Sequence, residues 1–481
     1  MEPAVNDRWL FFPAVGRQAG LGHQRRCQAL AAQVADPVWG NEVATNASEG
    51  QAATTLLPET IARLEPQWII LDNYEFNAAD QRAVQATGRQ LLVIDDNHHL
   101  EAYHADLILN PNVGAESLIY RGSPLGRRLL GSDFAMVAPD VRQQSPLRHN
   151  VPKVAKRVLV TTGGGNPNGA RDAILAALAL VEVDPLDVAV VVSAVEGEVD
   201  IPLPQNGRHR FTIQRAPSDL ARLMAESDLA ISTAGVTLQE LAYLGVPTLA
   251  LVAADNQEPG AKAFAKAGAV ELAGRVETLQ ASVFARQIAK LVADSSKRRT
   301  LSERGQPLID GRGAERVARA MRDMTIHLRP ATIDDRQQLF EWANDPEVRK
   351  ASFQSATIDA ATHDQWLQSQ LHDANCTICM ASDGQRAPLG QVRFERSGVT
   401  ATISVSVDAK QRGKRRGTRL IHLACRRYFY EHDVQTIVAF IKPRNEASLK
   451  VFERVGFVFA QETTIHEQPA TEWRLARDAW K

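Results

Sequence analysis

Two parallel-sheet α/β domains followed by a smaller α+β domain is the architecture that this chain predicts, and three observations predict it. From the start to about residue 140, apolar runs of strand length alternate with helical patterns: Trp9 to Val15, Trp68 to Leu71, Leu91 to Ile94 and Leu107 to Leu109. The polar, proline-marked stretch Arg142 to Lys156 interrupts this rhythm. It begins again at Arg157-Val158-Leu159-Val160 and continues through Val188 to Ser193, Leu229 to Ser232 and Thr248 to Val252, closing with a charged helix around Ala314 to Met324. Near Thr325 the character changes. A strand at Ile326 to Pro330 leads into helices rich in Asp, Glu and Trp, then into antiparallel-looking strands at Cys376 to Ala381, Gly390 to Glu395 and Thr402 to Val407. The expected boundaries are 1–145, 155–323 and 325–481.

Composition fits three such units. A length of 481 residues corresponds to about three domains. Apolar content of 44%, charged content of 23% and a net charge of -1 are ordinary for globular proteins and argue against a general nucleic-acid or membrane surface, so small-molecule partners are expected. Four cysteines are too few for a disulfide framework, and Met1 to Arg8 lacks a basic segment leading into an apolar one. A cytoplasmic location follows as the expectation. Apolar runs such as Val246 to Ala254 fall short of the roughly 20 residues that a membrane span requires. The sequence sets no oligomeric state.

The most informative segment is Ser232-Thr233-Ala234-Gly235-Val236-Thr237-Leu238-Gln239-Glu240. A strand ending in small and hydroxyl residues leaves the first backbone N–H groups of the next helix free for phosphate oxygens. Glu240, about one turn inside, has the charge to accept hydrogen bonds from vicinal ribose hydroxyls. An ordinary N-capped helix start has the same local signature, so the companions of this segment matter. Gly163-Gly164-Gly165, directly after Val160-Thr161-Thr162, offers a backbone-only wall toward phosphate, or simply a tight turn. In the first domain, Gly16 to Gly22 form a glycine-rich turn ending at His23, whose imidazole is of the type that exchanges protons near neutral pH. Asp72-Asn73-Tyr74 and Asp95-Asp96 follow strands and point polar groups toward the same cleft. Asp255-Asn256-Gln257 does so from the second domain, where Asn256 is placed to orient a water or a sugar hydroxyl.

Taken in order, Gly20-Leu21-Gly22-His23, Asp72-Asn73-Tyr74, Ile94-Asp95-Asp96, Asp106 to Asn110, Leu129-Leu130-Gly131, Thr162 to Gly165, Ser232 to Glu240 and Asp255-Asn256-Gln257 resemble the UDP-sugar hydrolase family of pseudaminic acid biosynthesis, over roughly residues 8 to 322. The resemblance implies two Rossmann-like domains in a GT-B arrangement. It implies a metal-independent hydrolysis of UDP-2,4-diacetamido-2,4,6-trideoxy-β-L-altropyranose, with inversion at the anomeric carbon. In that picture His23 activates water, Tyr74 and Asn256 are the other catalytic residues, and Gly22, Asp72 and Gln257 meet the substrate. Gly164, Gly165, Ser232 to Thr237 (Ala234, Gly235 and Val236 among them) and Glu240 hold UDP. GT-B glycosyltransferases share the same nucleotide site, and a UDP-sugar transferase with an accessory acetyltransferase is the second reading.

Residues 326 to 460 resemble the GNAT family of acetyl-CoA-dependent N-acetyltransferases. The strand ending at Val407 leads into Gln411-Arg412-Gly413-Lys414-Arg415-Arg416-Gly417-Thr418 and a helix, close to the family's Gln/Arg-x-x-Gly-x-Gly/Ala loop, whose N–H groups hold the pyrophosphate. Arg412 and Gly417 match, whereas Arg415 stands where the first paired glycine belongs. Asn445 to Ser448, Phe452 and Gly456-Phe457 match the last motif, with phenylalanine where many relatives carry a proton-donating tyrosine. The resemblance assigns acetyl-CoA to Val407, Arg412, Gly413, Lys414, Arg416, Gly417, Thr418, Asn445 and Ser448. Glu341 to Arg349, His363 and Trp366 resemble the branch that acetylates UDP-4-amino-4,6-dideoxy sugars. A third reading leaves this domain as a non-catalytic binding module. The pair Cys376 and Cys379 sits in a strand, where residues three apart face opposite sides, so zinc is not expected there. No metal is expected at Asp95, Asp96 and their neighbouring histidines either.

Overall fold

The computed structural model describes residues 8–14, 21–40, 53–123, 125–144, 151–205 and 207–480. Most of the glycine-rich turn, Gly16 to Gly20, lies outside them. Three sheets organise the chain. In the first, β1 (Trp9–Pro13), β2 (Pro37–Trp39), β3 (Trp68–Asp72), β4 (Gln90–Ile94), β5 (Leu107–Asn110) and β6 (Arg127–Leu130) run parallel in the order β2-β1-β3-β4-β5-β6. Every residue of β1, β3, β4 and β5 is buried. Such strands need no polar alternation, because helices cover both faces. Trp9, Phe11, Trp68, Ile70, Leu92 and Ile94 pack on one side, and Leu10, Phe12, Ile69, Leu71, Leu91 and Val93 on the other.

The second sheet has the same construction. Its strands are β7 (Arg157–Thr161), β8 (Asp187–Val192), β9 (Arg210–Arg215), β10 (Leu229–Thr233), β11 (Thr248–Val252) and β12 (Glu271–Arg275), parallel in the order β12-β11-β10-β7-β8-β9. Strand order reverses at one place in each sheet, between β1 and β3 in the first and between β7 and β10 in the second. A ligand crevice opens at such a reversal, because the connections leave β-strand carboxyl ends toward opposite faces.

Helix α1 (Gly22–Ala31) follows β1, α2 (Ala78–Ala86) precedes β4, and α3 (Val236–Tyr243) follows β10. Helix α4 (Gly313–Met324) comes after the second sheet in the chain but packs against the first. Its apolar stripe, Ala314, Val317, Ala318, Met321 and Met324, joins the core around Trp9 and Trp68.

The third sheet is mixed: β13 (Ile326–Pro330), β14 (Cys376–Asp383), β15 (Pro388–Ser397), β16 (Thr400–Val407), β17 (Thr436–Ile441), β18 (Val458–Ile465) and β19 (Gln468–Ala476), in the order β13-β14-β15-β16-β17-β19-β18. All its pairings are antiparallel except β16 with β17. Helix α5 (Arg416–Glu431) buries Leu420, Ile421, Ala424, Cys425 and Tyr428 against one face. Cys376 and Cys379 both lie in β14, on opposite faces.

The third unit is docked on the first through α5. Arg426, 2% exposed, donates to the Gln85 carbonyl at 2.7 Å, to the Arg89 carbonyl at 2.6 Å and to Asp106 at 3.2 Å. It therefore supplies acceptor-bound protons to the carbonyl end of α2, where intrahelical donors have run out. Gly88, at φ +71°, allows this close approach, since a Cβ there would stand 2.8 Å from the Arg427 Cα. Trp68 Nε1 donates to the Thr325 hydroxyl at 2.9 Å and Gln90 Nε2 to the Met324 carbonyl at 2.9 Å, which fixes the connection itself. Replacing Arg426 with Ala removes a buried cation from Asp106 and a donor from the Gln85 and Arg89 carbonyls, at a cost of about 2–4 kcal/mol to the junction. Limited proteolysis near residue 325 should then accelerate by at least about tenfold; an unchanged cleavage rate would show that apolar contacts alone hold the seam.

Candidate functional site

At the reversal in the first sheet, His23 stands in the first turn of α1 and Asp72 is the last residue of β3. Asp72 pairs in register with Pro13 of β1, so the end of β3 comes directly beneath the start of the helix. His23 Nδ1 lies 2.6 Å from Asp72 Oδ1. Arg26 Nη2 stands 3.0 Å from the same nitrogen; the carboxylate is closer and has only acceptor sites, which favours the proton on Nδ1 and leaves Nε2 as an acceptor. Nε2 makes no hydrogen bond among the described residues. Arg26, one turn after His23 and on the same helix face, donates to Asp72 at 2.7 and 2.5 Å and to Asp96 at 2.5 Å. The Tyr74 hydroxyl donates to the other oxygen of Asp96, and the Tyr74 ring stands edge-on to both His23 and His99.

These contacts set the charges. Burial pushes the Asp72 carboxyl up, but Arg26 and then His23 pull it back, and it ends below the usual carboxylate range. Asp96 behaves alike and is held well below that range. Burial and the adjacent Asp96 raise the Tyr74 phenol above its usual value, so it stays a neutral donor. Asp95 is wholly buried and accepts from the Asn97 and His98 backbone N–H groups at 3.1 and 3.0 Å, from His99 at 3.1 Å and from the Tyr103 hydroxyl. Among the described residues no group of three or more His, Cys, Asp or Glu side chains is arranged to hold a metal ion.

At the reversal in the second sheet, the segment from Ser232 divides in two. Ser232 and Thr233 are the buried last two residues of β10, and the Ser232 hydroxyl donates to the Thr233 carbonyl at 3.0 Å. Ala234 is buried too, whereas Gly235 is exposed and Val236 and Thr237 are partly so. The free N–H groups of α3 are therefore carried by its first turn rather than by the strand end. A Cβ added to Gly163 would lie 3.9 Å from the Thr237 hydroxyl, which brings the turn after β7 beside this helix start. Gly164 is partly exposed, and no atom stands within 4 Å of where a Cβ of Gly165 or Gly235 would be.

The two halves touch. A Cβ on Gly22 would lie 3.1 Å from Val236 Cγ2, so the first turns of α1 and α3 meet. Gln239 Nε2 donates to the Pro111 carbonyl at 3.3 Å. Glu240 is buried and accepts from Arg25 Nε at 2.9 Å, while Arg25 also binds Asp140 at 3.1 Å.

Several expected ligand contacts have protein partners instead. Asp72, expected at the substrate, is fully buried and engaged by His23, Arg26 and the Cys27 thiol. Gln257 accepts from the Ala253 N–H at 3.0 Å. Asn256 is exposed just after β11, on the same sheet edge as Gly235. Arg25 and Arg26 were the residues whose importance sequence reasoning missed. The available signal was the spacing of three between His23 and Arg26.

In the third unit, β16 and β17 pair only at Thr400 to Thr402 against Thr436 to Val438. Beyond Thr402 no pairing joins them, although β16 continues to Val407 and β17 to Ile441. The sheet is split there, with main-chain groups of Ile403 to Val407 open on one edge. The turn before α5 closes the split. Gly413 and Arg415 both take left-handed φ, +75° and +57°, which explains why glycine suits position 415 and why an arginine there is strained. Gly417 packs 3.3 Å from Val407, measured from its would-be Cβ, and Thr418 is buried behind it. The cations are largely occupied: Arg412 by Asp345 at 2.8 Å, Arg416 by Asp383 at 2.6 Å and Lys414 by the Lys410 carbonyl at 2.8 Å. Asn445 caps helix α6 (Glu446–Val455) by accepting from the Ser448 N–H at 3.2 Å. Phe452 is a core residue, edge-on to Phe457 at 4.9 Å. His363 is buried beside Phe340 and Trp366, with both ring nitrogens unbonded among the described residues, and burial lowers its pKa.

Residues 325–458 match the family described as Acetyltransferase (GNAT) domain, and this part of the chain is a GNAT acetyltransferase domain. Over 242 residues the chain is 26% identical to the spore coat polysaccharide biosynthesis protein SpsG of Bacillus subtilis, covering 50% of this chain and 70% of that protein. Over 252 residues it is 24% identical to the pseudaminic acid cytidylyltransferase and UDP-2,4-diacetamido-2,4,6-trideoxy-beta-L-altropyranose hydrolase of Helicobacter pylori, covering 52% of this chain but only 45% of that one. The chain is thus a distant homologue of sugar-biosynthesis proteins. A solved aminoglycoside acetyltransferase, AAC(6')-Ib with coenzyme A, aligns at 23% identity and a TM-score of 0.30, over 32% of this chain and 96% of its own. No helix among the described residues is long and apolar enough to cross a membrane.

The carboxylates around Arg26 make a pH prediction. Their folded pKa values lie below the unfolded ones, so the stability they contribute is complete above about pH 4 and is lost as pH falls further. Substituting Arg26 with Met removes the shared cation from two carboxylates, and the unfolding free energy at pH 7 should fall by about 3–5 kcal/mol. Urea denaturation between pH 3 and 8 reads both effects, on a number of about this size.

Proposed function

We propose that the two parallel-sheet domains hydrolyse a UDP-linked sugar and that the third domain N-acetylates a UDP-amino sugar with acetyl-CoA, the two steps belonging to nonulosonic acid biosynthesis of the pseudaminic type. The observation that carries the first half is the His23–Asp72 pair, which leaves Nε2 unbonded among the described residues, near the point where the two domains meet. Nε2 accepts a proton from water as its oxygen attacks the anomeric carbon. The bond from that carbon to the diphosphate oxygen breaks, and UDP leaves toward the N–H groups at the start of α3 and the glycines after β7. Tyr74 and Asn256 are assigned to the sugar or the attacking water, and Glu240 to the ribose. The substrate named by the hydrolase resemblance is UDP-2,4-diacetamido-2,4,6-trideoxy-β-L-altropyranose, in a GT-B arrangement without metal. The alternative of transfer to a sugar acceptor makes a different prediction, because it requires that acceptor for UDP release.

For the third domain the split between β16 and β17 supports acetyl-CoA. Its unpaired main-chain groups suit an extended amide-bearing arm, and the turn from Arg412 to Thr418 places N–H groups of α5 at one end for a pyrophosphate. The acceptor amine attacks the thioester carbonyl, the C–S bond breaks and CoA leaves as the thiol. Phe452 has no proton to give, so the proton that the attacking amine loses reaches the thiolate through water.

Replacing His23 with Ala is expected to lower UDP release from the diacetamido sugar nucleotide by at least about 10²-fold, with UDP binding retained; turnover near the wild-type level would remove His23 as the base. Wild-type UDP release in the absence of any sugar acceptor separates the hydrolase from a transferase. Incubation of the full chain with acetyl-CoA and a UDP-4-amino-4,6-dideoxy sugar should liberate free thiol, read colorimetrically, and no thiol would leave the third domain a binding module.

A further inference from the structure

The nucleotide pocket assigned above to the second domain is not built by that domain alone. Arg25, on the first domain's α1, reaches across the meeting point of α1 and α3. Its Nε donates to Glu240 Oε1 at 2.9 Å while its terminal nitrogen holds Asp140 at 3.1 and 3.2 Å. The Glu240 side chain is 2% exposed and that of Arg25 23%, so this is a mostly desolvated pair at a domain seam rather than a surface ion pair of little weight. Among the described residues, Arg25 and Asp140 are the charged groups that bear on Glu240. Helix α3, which carries Glu240, also packs against β10, β11 and residues 295–308; that last stretch carries Lys297, Arg298, Arg299, Glu303 and Arg304, and none of these bears on Glu240.

We propose that Arg25 is a positioning residue for nucleotide binding: it holds the Glu240 carboxylate in place and favours its anion, so that the ribose diol meets a charge-supported acceptor only while the first domain is docked on the second. This rests on the assignment of a UDP-sugar to the cleft. The chemistry is direct. Two vicinal hydroxyls each donate to a carboxylate, whereas a protonated carboxyl accepts poorly on its O–H oxygen. Arg25 engages Oε1 through one N–H, which leaves Oε2 and the second lone pair of Oε1 for the ribose. Burial drives the Glu240 carboxyl upward; Arg25 offsets part of that drive, and the group ends above its ordinary value. Without the guanidinium the carboxyl takes up a proton at a higher pH, and the pocket loses its acceptor in the acid range. Domain docking and nucleotide affinity are coupled through one side chain.

The test is calorimetric titration of the full chain with UDP and with 2′,3′-dideoxy-UDP between pH 5.5 and 8.5, using the wild type, Arg25→Met and Arg25→Lys. For the wild type, UDP affinity should vary little over that range. For Arg25→Met it should drop by about tenfold at the acid end and recover as pH rises, because the carboxylate returns. Arg25→Lys, which keeps the charge, should restore most of the acid-end affinity. The dideoxy analogue, with no hydroxyls to offer, should bind all three proteins alike. Equal losses for UDP and its dideoxy analogue, or a loss in Arg25→Met that does not change with pH, would overturn the proposal and leave Arg25 a structural contact. If the wild type binds no UDP at all, the nucleotide assignment falls, and this proposal with it. UDP binding that is the same in wild type and Arg25→Met overturns the proposal alone.

Discussion

The guanidinium of Arg26 is the contact on which the first domain's candidate site depends. Two carboxylates, Asp72 at the end of β3 and Asp96 just after β4, converge beneath the start of α1, and each would be expensive to bury without a cation. Arg26 holds both, at 2.5 to 2.7 Å. Asp72 thereby has a free oxygen direction for His23, and Asp96 for Tyr74. One buried cation thus positions the histidine, 3.0 Å from Arg26 Nη2, and, through Asp96, the phenol. The network also explains why the helix must begin immediately after the glycine-rich turn: a shift of one residue would turn His23 and Arg26, which share a face, away from β3 together.

Much of this was readable in the sequence, for identifiable reasons. Strands buried on both faces appear as unbroken apolar runs, so β1, β3, β4, β7, β10 and β11 could be placed from composition. Strands at the sheet margins could not: Arg127 to Leu130 and Glu271 to Arg275 carry charges and are half exposed, and only neighbours in space make them strands. The strand-end rule located His23, Asp72, Tyr74 and the α3 start. It could not say which carboxylate faces solvent, and Asp72, expected at the substrate, is instead sealed under the histidine. The same limit applied to Glu240, whose partner Arg25 is 215 residues away. Pairings between domains leave no periodicity in the chain.

In the third domain, sequence carried the loop and its departures well. Arg415 was visible as a replaced glycine, and the structure supplies the reason, a left-handed backbone at +57°. Phe452 was visible as a replaced tyrosine and is in fact core. The split between β16 and β17 had no sequence signature at all, because two strands that diverge read the same as two that stay paired.

Helix α4 has a mechanical consequence. It follows the second sheet in the chain, yet its apolar stripe belongs to the core of the first, and the acetyltransferase domain that comes next is bolted to the first sheet by Arg426. Any hinge movement between the two parallel-sheet domains then has a heavy partner and a light one. The heavy body unites the histidine-bearing sheet, α4 and the whole acetyltransferase domain, while the light body is the second sheet with its helices. A hinge of that kind would move the second sheet alone. In such a movement His23 and the acetyltransferase split would travel together, as parts of one body.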